Sequence, residues 1–168
     1  MKMSIVFSSL TGNTKKVAEE ILQIMPKGTD IYDLKELDHG LEDELLVLGY
    51  WVDRANPNKE MVEFMETFKD KKIITFGTLG AYPDSDHANE TKENTTNILE
   101  KNNEVLGNFL CQGKINPKIT EMFMKGGEGK VHKMTPERLK RHQDAASHPN
   151  EEDFNNARNF VESILMNL

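Results

Sequence analysis

Apolar positions along the chain follow two rhythms that take turns. Met3 to Ser8 (M-S-I-V-F-S) is a short run with β-branched residues, as expected of a buried strand. Asn13 to Met25 carries Val17, Ala18, Ile21, Leu22 and Met25 at helical spacing, and Pro26 and Gly28 stop it. Thr29 to Leu34 alternates like a second strand. Leu45 to Tyr50 (L-L-V-L-G-Y) is continuously apolar, the signature of a central strand covered on both faces. Asn56-Pro57 reads as an N-cap with proline at the first helical position, and Met61, Val62, Met65 and Phe68 form the stripe of that helix. Lys72 to Gly77 is the next buried strand. Ser85 to Glu100 is polar, with Ala88, Ile98 and Leu99 inward, and is read as a helix. Glu104 to Cys111 is the last strand. From Asn150 onward Phe154, Ala157, Phe160, Val161, Ile164 and Leu165 line one helical face. Asn150 caps that helix, and Glu151, Glu152 and Asp153 sit at the positive end of its dipole.

Strands that alternate with helices predict an α/β fold: a three-layer sandwich with a five-stranded parallel sheet between two helix layers. Right-handed crossovers and five strands favour the order 2-1-3-4-5. The switch point of that sheet lies between its first and third strands, where open α/β sheets bind ligands. A length of 168 residues suits one domain spanning 1–168.

Composition narrows the function classes. The net charge of −7 argues against general nucleic-acid binding. No stretch approaches a membrane span, and the N-terminal run lacks a signal-peptide cleavage pattern. Cys111 is the only cysteine, so no intrachain disulfide can form, which fits a reducing cytoplasm. The charge is uneven. Gln112 to His148 has eight basic residues against four acids, so this insertion is +4 and the remainder is −11. A solvated surface insertion and a lid or docking element both suit that asymmetry.

Ser8-Ser9-Leu10-Thr11-Gly12-Asn13-Thr14 follows a strand and opens a helix, where free N–H groups and the helix dipole attract a phosphate. Ser8, Ser9, Thr11, Thr14 and Asn13 offer neutral hydrogen-bonding side chains, and Gly12 permits close backbone approach. An ordinary polar helix cap is the bland alternative. Triphosphate binding is excluded here, because no G-x-x-x-x-G-K-[ST] string occurs. Gly126-Gly127-Glu128-Gly129-Lys130 resembles one only superficially, and Val131 follows its lysine. A cysteine phosphatase would need arginine where Pro117 stands.

The run Val6 to Thr14 resembles the phosphate loop of flavodoxins, in which a hydroxyl residue is usual where Leu10 stands. Gly49-Tyr50-Trp51-Val52-Asp53-Arg54 and Phe76-Gly77-Thr78-Leu79-Gly80-Ala81-Tyr82-Pro83 further resemble a bacterial subgroup of flavodoxin-like proteins, some of them associated with bilirubin reduction. The resemblance implies FMN as cofactor. It implies phosphate contacts from Ser8, Ser9, Leu10, Thr11, Gly12, Asn13 and Thr14. Tyr50, Trp51 and Val52 would hold one side of the isoalloxazine, and Thr78, Leu79, Gly80, Ala81 and Tyr82 the other. Tyr82 is the first candidate to stack on the ring and Trp51 the second; local packing is the alternative for each. Arg54 would either place charge near the flavin or pair with Asp53. No catalytic acid, base or metal ligand stands out; His87, just past the third loop, reads as a surface histidine. The implied function is electron transfer to a partner redox protein. The rivals are an NAD(P)H-linked reductase of a small molecule and a non-catalytic flavin-binding regulatory domain.

Overall fold

The computed structural model describes residues 1–126 and 133–168. The glycine-rich string from Gly127 to Lys130, together with His132, lies outside the described residues, so the comparison with a phosphate-binding loop ends there.

The elements run β1 (Met3–Phe7), α1 (Asn13–Leu22), β2 (Asp30–Asp33), β3 (Leu45–Asp53), β4 (Asn56–Pro57), α2 (Lys59–Met65), β5 (Lys72–Leu79), α3 (Asp86–Leu99), β6 (Glu104–Gln112), α4 (Pro117–Met124), α5 (Pro136–Ala145) and α6 (Glu151–Leu165). The main sheet has the order β2-β1-β3-β5-β6, all neighbours parallel. This is the expected 2-1-3-4-5 arrangement of five parallel strands. Side chains alternate across it. Ile5, Phe7, Leu45, Val47, Ile74 and Phe76 face α1 and α6, while Val6, Leu46, Leu48, Tyr50, Ile73 and Leu110 face α2 and α3. Among the described residues no helix is long and apolar enough to cross a membrane.

One expectation fails. Asn56-Pro57 does not open a helix; it forms the short strand β4, antiparallel to β3, with Asp53 opposite Asn56 and Val52 opposite Pro57. Arg54 and Ala55 make the two-residue turn, both with positive φ (51° and 59°). Asn58 takes the N-cap position of α2, which starts at Lys59. α3 is inward on more positions than Ala88, Ile98 and Leu99, because Thr91 and Thr95 are fully buried. Their hydroxyls donate to the carbonyls of His87 and Thr91, which makes burial of these polar residues possible. α6 begins with a capping box: Asn150 accepts from the Asp153 N–H, and Asp153 accepts from the Asn150 N–H.

The insertion folds mainly as α4 and α5. Its entry is anchored along the third loop, where the Gly113 N–H donates to Leu79 O and the Gln112 side-chain amide donates to Gly80 O. α4 buries no residue, whereas α5 buries His142 and Ala145.

Candidate functional site

The turns after β1, β3 and β5 meet at the carboxyl edge of the sheet. In the first, Gly12 adopts φ 96° at the N-cap of α1, a conformation that favours glycine. Ser9 Oγ accepts from the Gly12 and Lys15 N–H groups at 3.1 and 3.3 Å, which closes the loop on itself. Thr11 and Leu10 are exposed at the rim. Thr14 is buried, with its hydroxyl 2.8 Å from that of Thr78, so the first and third loops are tied directly. Asn13 donates to the Lys114 carbonyl and packs on Gly113, where a Cβ would come within 2.7 Å of its amide. The Lys35 ammonium donates to Ser9 O from the neighbouring strand end.

Between the loops lies a cavity of about 260 Å³. Ser9, Leu10, Thr11, Asn13 and Thr14 form one wall, Trp51, Val52 and Asp53 a second, and Thr78, Leu79 and Gly80 a third. The insertion completes it with Gly113, Lys114, Ile115, Asn116 and Ile119. Ile115 fits against Gly80, where a Cβ would come within 2.7 Å of the Ile115 side chain.

Not every residue singled out from the sequence reaches this cavity. Tyr50 is fully buried on the α3 side of the sheet; its hydroxyl donates to Asn108 and lies 3.2 Å from that of Thr95. Burial pushes that phenol up to about 12, so it is a neutral core residue and its ring is not offered to a ligand. Ser8 is buried and accepts from the Asn58 side chain at 2.8 Å. Gly12 shapes the loop rather than the cavity wall. Ala81 and Tyr82 face a neighbouring cavity instead, together with Arg54 and His87. Tyr82 donates to Asp144 of α5 at 2.6 Å, and the Lys140 ammonium reaches the same carboxylate oxygen at 3.0 Å. Those two bonds, Tyr82 first, hold the Asp144 carboxyl below its usual range; the same contact with Asp144 raises the Tyr82 phenol.

Asn58 is the positioning residue that sequence reasoning missed. It is fully buried, donates to Ser8 Oγ and Glu60, and accepts from the Trp51 N–H at 3.3 Å. Its backbone N–H also donates to Trp51 O. One amide side chain thus joins the first loop to the second. The insertion residues Gly113, Lys114, Ile115, Asn116 and Ile119 were missed as well, because nothing in their local composition marks a pocket wall.

A flavodoxin-domain family model matches residues 4–162. The flavodoxin-like domain-containing protein BilS of Clostridioides difficile is 34% identical over 99% of this chain and 97% of its own length. The crystal structure of oxidised flavodoxin 1 from Bacillus cereus superposes with a TM-score of 0.63 at 14% identity, covering 100% of this chain and 99% of that one. A Lactobacillus acidophilus flavoprotein crystallised in complex with FMN superposes with a TM-score of 0.50 at 15% identity, covering 65% of this chain and 92% of that one. A domain match over nearly the whole chain and a relative matched end to end make this chain a member of the flavodoxin-domain family.

Proposed function

We propose that the chain binds FMN in the three-loop cavity and carries electrons to a partner redox protein. The observation that carries this reading is the donor set at the switch point. Neutral side chains (Ser9, Thr11 and Asn13) surround the N-terminus of α1, next to an apolar slot between Trp51 and Leu79. That combination fits a molecule with a phosphate at one end and a flat apolar ring system at the other. A small apolar ligand would not need the first loop, and a nucleoside triphosphate would need a cationic cradle that the loop lacks. The likeness to a flavoprotein crystallised with FMN supports the same assignment.

Bound FMN would supply one- or two-electron redox chemistry. The residues of this chain have four tasks. The first loop and the α1 N-terminus hold the phosphate. Trp51 and Val52 cover one side of the ring and Thr78 to Gly80 approach the other. Ile115 and Ile119 limit the access of water. The acidic body of the domain disfavours additional negative charge at the ring, which opposes formation of an anionic reduced flavin. Denaturing the purified protein and chromatographing the released flavin tests the assignment. FMN in near-stoichiometric amount is expected. FAD, or no flavin even after reconstitution, overturns it.

A further inference from the structure

A second cavity, of about 570 Å³, adjoins the first and shares Val52, Gly80, Ile115 and Ile119 with it. This is within the size range of small-molecule sites, about 300–1,000 Å³. Its polar lining is one-sided. Arg54, Arg141, His87 and His142 face it, and among the described residues no Asp or Glu does. In a chain with 28 acids and 21 basic residues, a cavity of that size without a carboxylate is unexpected. Asp144, which meets the lining residue Tyr82, has its charge engaged by the Tyr82 hydroxyl and the Lys140 ammonium. Among the described residues neither Arg54 nor Arg141 forms an ion pair.

The backbone beneath these cations is fixed. Arg54 stands on the two-residue turn between β3 and β4, and the Asn94 amide donates to Ala55 O at 2.8 Å from α3. Arg141 stands on α5, which the Tyr82–Asp144 bond holds to the third loop. The wall also carries apolar side chains, Val52 and Ala81 on the body and Ile115, Ile119 and Phe123 on the insertion, while the hydroxyls of the two remaining polar residues are engaged, Tyr82 donating to Asp144 and Ser85 to Tyr82 O. Guanidinium forks match carboxylates in geometry as well as charge. Apolar walls offer nothing to a small inorganic anion and much to a hydrocarbon body.

We propose that this second cavity binds a small apolar carboxylate, its acid group on Arg54 and Arg141 and its body against Val52, Ile115 and Ile119, beside the FMN pocket. Its place beside a flavin rests on the function proposed above; its affinity for the anion does not. A ligand there would lie next to the redox centre, as the direct electron acceptor of a reductase must.

Calorimetric titration of the FMN-reconstituted chain tests this, with 2-naphthoate, its uncharged amide and inorganic phosphate as probes. Naphthoate is expected to bind at one site, with the amide and phosphate each about tenfold weaker or more. Arg54→Gln and Arg141→Gln should each raise the naphthoate dissociation constant by about tenfold, the size of one lost hydrogen bond to a charged group. Lys27→Gln, on a distant loop, should not change it. Naphthoate binding no tighter than the amide or phosphate, or unmoved by both arginine changes, overturns the proposal. So does release of flavin into solution as naphthoate is added, since the probe would then occupy the first cavity. A chain that takes up no FMN overturns the electron-carrier reading alone, and the arginine effects measured on the same chain still decide the second cavity.

Discussion

Trp51 and Tyr82 compete for one role, covering the flavin ring, and their surroundings separate them. Trp51 is half-buried in the wall of the first cavity, whereas Tyr82 faces the second and spends its hydroxyl on Asp144. Bound FMN should therefore be quenched mainly by Trp51. Steady-state flavin fluorescence at saturating protein should rise in Trp51→Phe and stay low in Tyr82→Phe, because a phenylalanine ring is too hard to oxidise to quench the flavin; a rise in Tyr82→Phe alone would reverse the assignment. The two threonines of the first loop also differ. Thr11 is exposed at the cavity rim, so Thr11→Val should weaken FMN by about tenfold, the loss of one charge-assisted hydrogen bond, at unchanged stability. Thr14→Val should in addition destabilise the apoprotein, because it leaves the buried Thr78 hydroxyl without its partner. Fluorescence titration and urea unfolding read the two effects separately. At this scale the sequence indicated the three loops but not which side chains turn into the cavity. Tyr50 and Trp51 are adjacent in a strand, so they point to opposite faces, and only the pairing of β3 with its neighbours decides which one is core.

Pairs of elements lock together through two glycines that sit opposite aromatic residues. β3 and β5 are in register with Gly49 beside Phe76 and Tyr50 beside Gly77. A Cβ on Gly49 would fall 2.2 Å from the Phe76 ring, and one on Gly77 would fall 2.6 Å from the Tyr50 ring. Gly49→Ala and Gly77→Ala should each cost at least about 1–3 kcal/mol by overpacking a core that cannot expand, read as a lower urea midpoint. Unchanged midpoints would mean that the rings move aside. A second element-scale contact holds α5 to the third loop through Asp144. A carboxyl depressed in the folded state stabilises that docking above its ordinary value of 3.8 and loses the contribution as pH falls through the lower folded value. The amide NMR shifts of α5 should thus titrate in acid in step with Tyr82, and Asp144→Asn should abolish the coupled titration. The strand–helix alternation and the order of the parallel strands were legible because burial on two faces leaves long apolar runs. β4 was not. Its turn uses Arg54-Ala55 at positive φ, where Asn-Gly would have announced a hairpin, so the sequence shows only an Asn-Pro that imitates a helix start.

Over the whole molecule, charge is divided between a body of −11 and an insertion of +4, and the structure places the entry of the insertion on the wall of the cofactor cavity. Ile119, Met122 and Met124 of α4 are exposed, and so is Leu10 on the first loop. Lys118 and Lys125 are exposed on and just after the same helix. A partner approaching the flavin from this side meets apolar side chains flanked by Lys118 and Lys125, with Glu121 as the one exposed acid of α4, a balance that favours an acidic partner surface over a basic one. Such steering acts over a Debye length of about 8 Å at physiological salt and about 10 Å at 0.1 M. It shows chiefly in the association rate. Electron transfer to the physiological acceptor, followed by stopped-flow oxidation of the reduced flavin, should therefore slow as ionic strength rises. Lys118→Glu combined with Lys125→Glu should slow it further at low salt, and the rates of the two proteins should converge at high salt, where both are screened. The variant's flavin content and unfolding midpoint should match those of the parent, since α4 buries no residue and the changes touch neither core nor cavity wall. A rate that rises with salt, or that rises on charge reversal, would show that the partner docks on the acidic body instead. A rate indifferent to both would leave the cations of the insertion with no part in electron transfer.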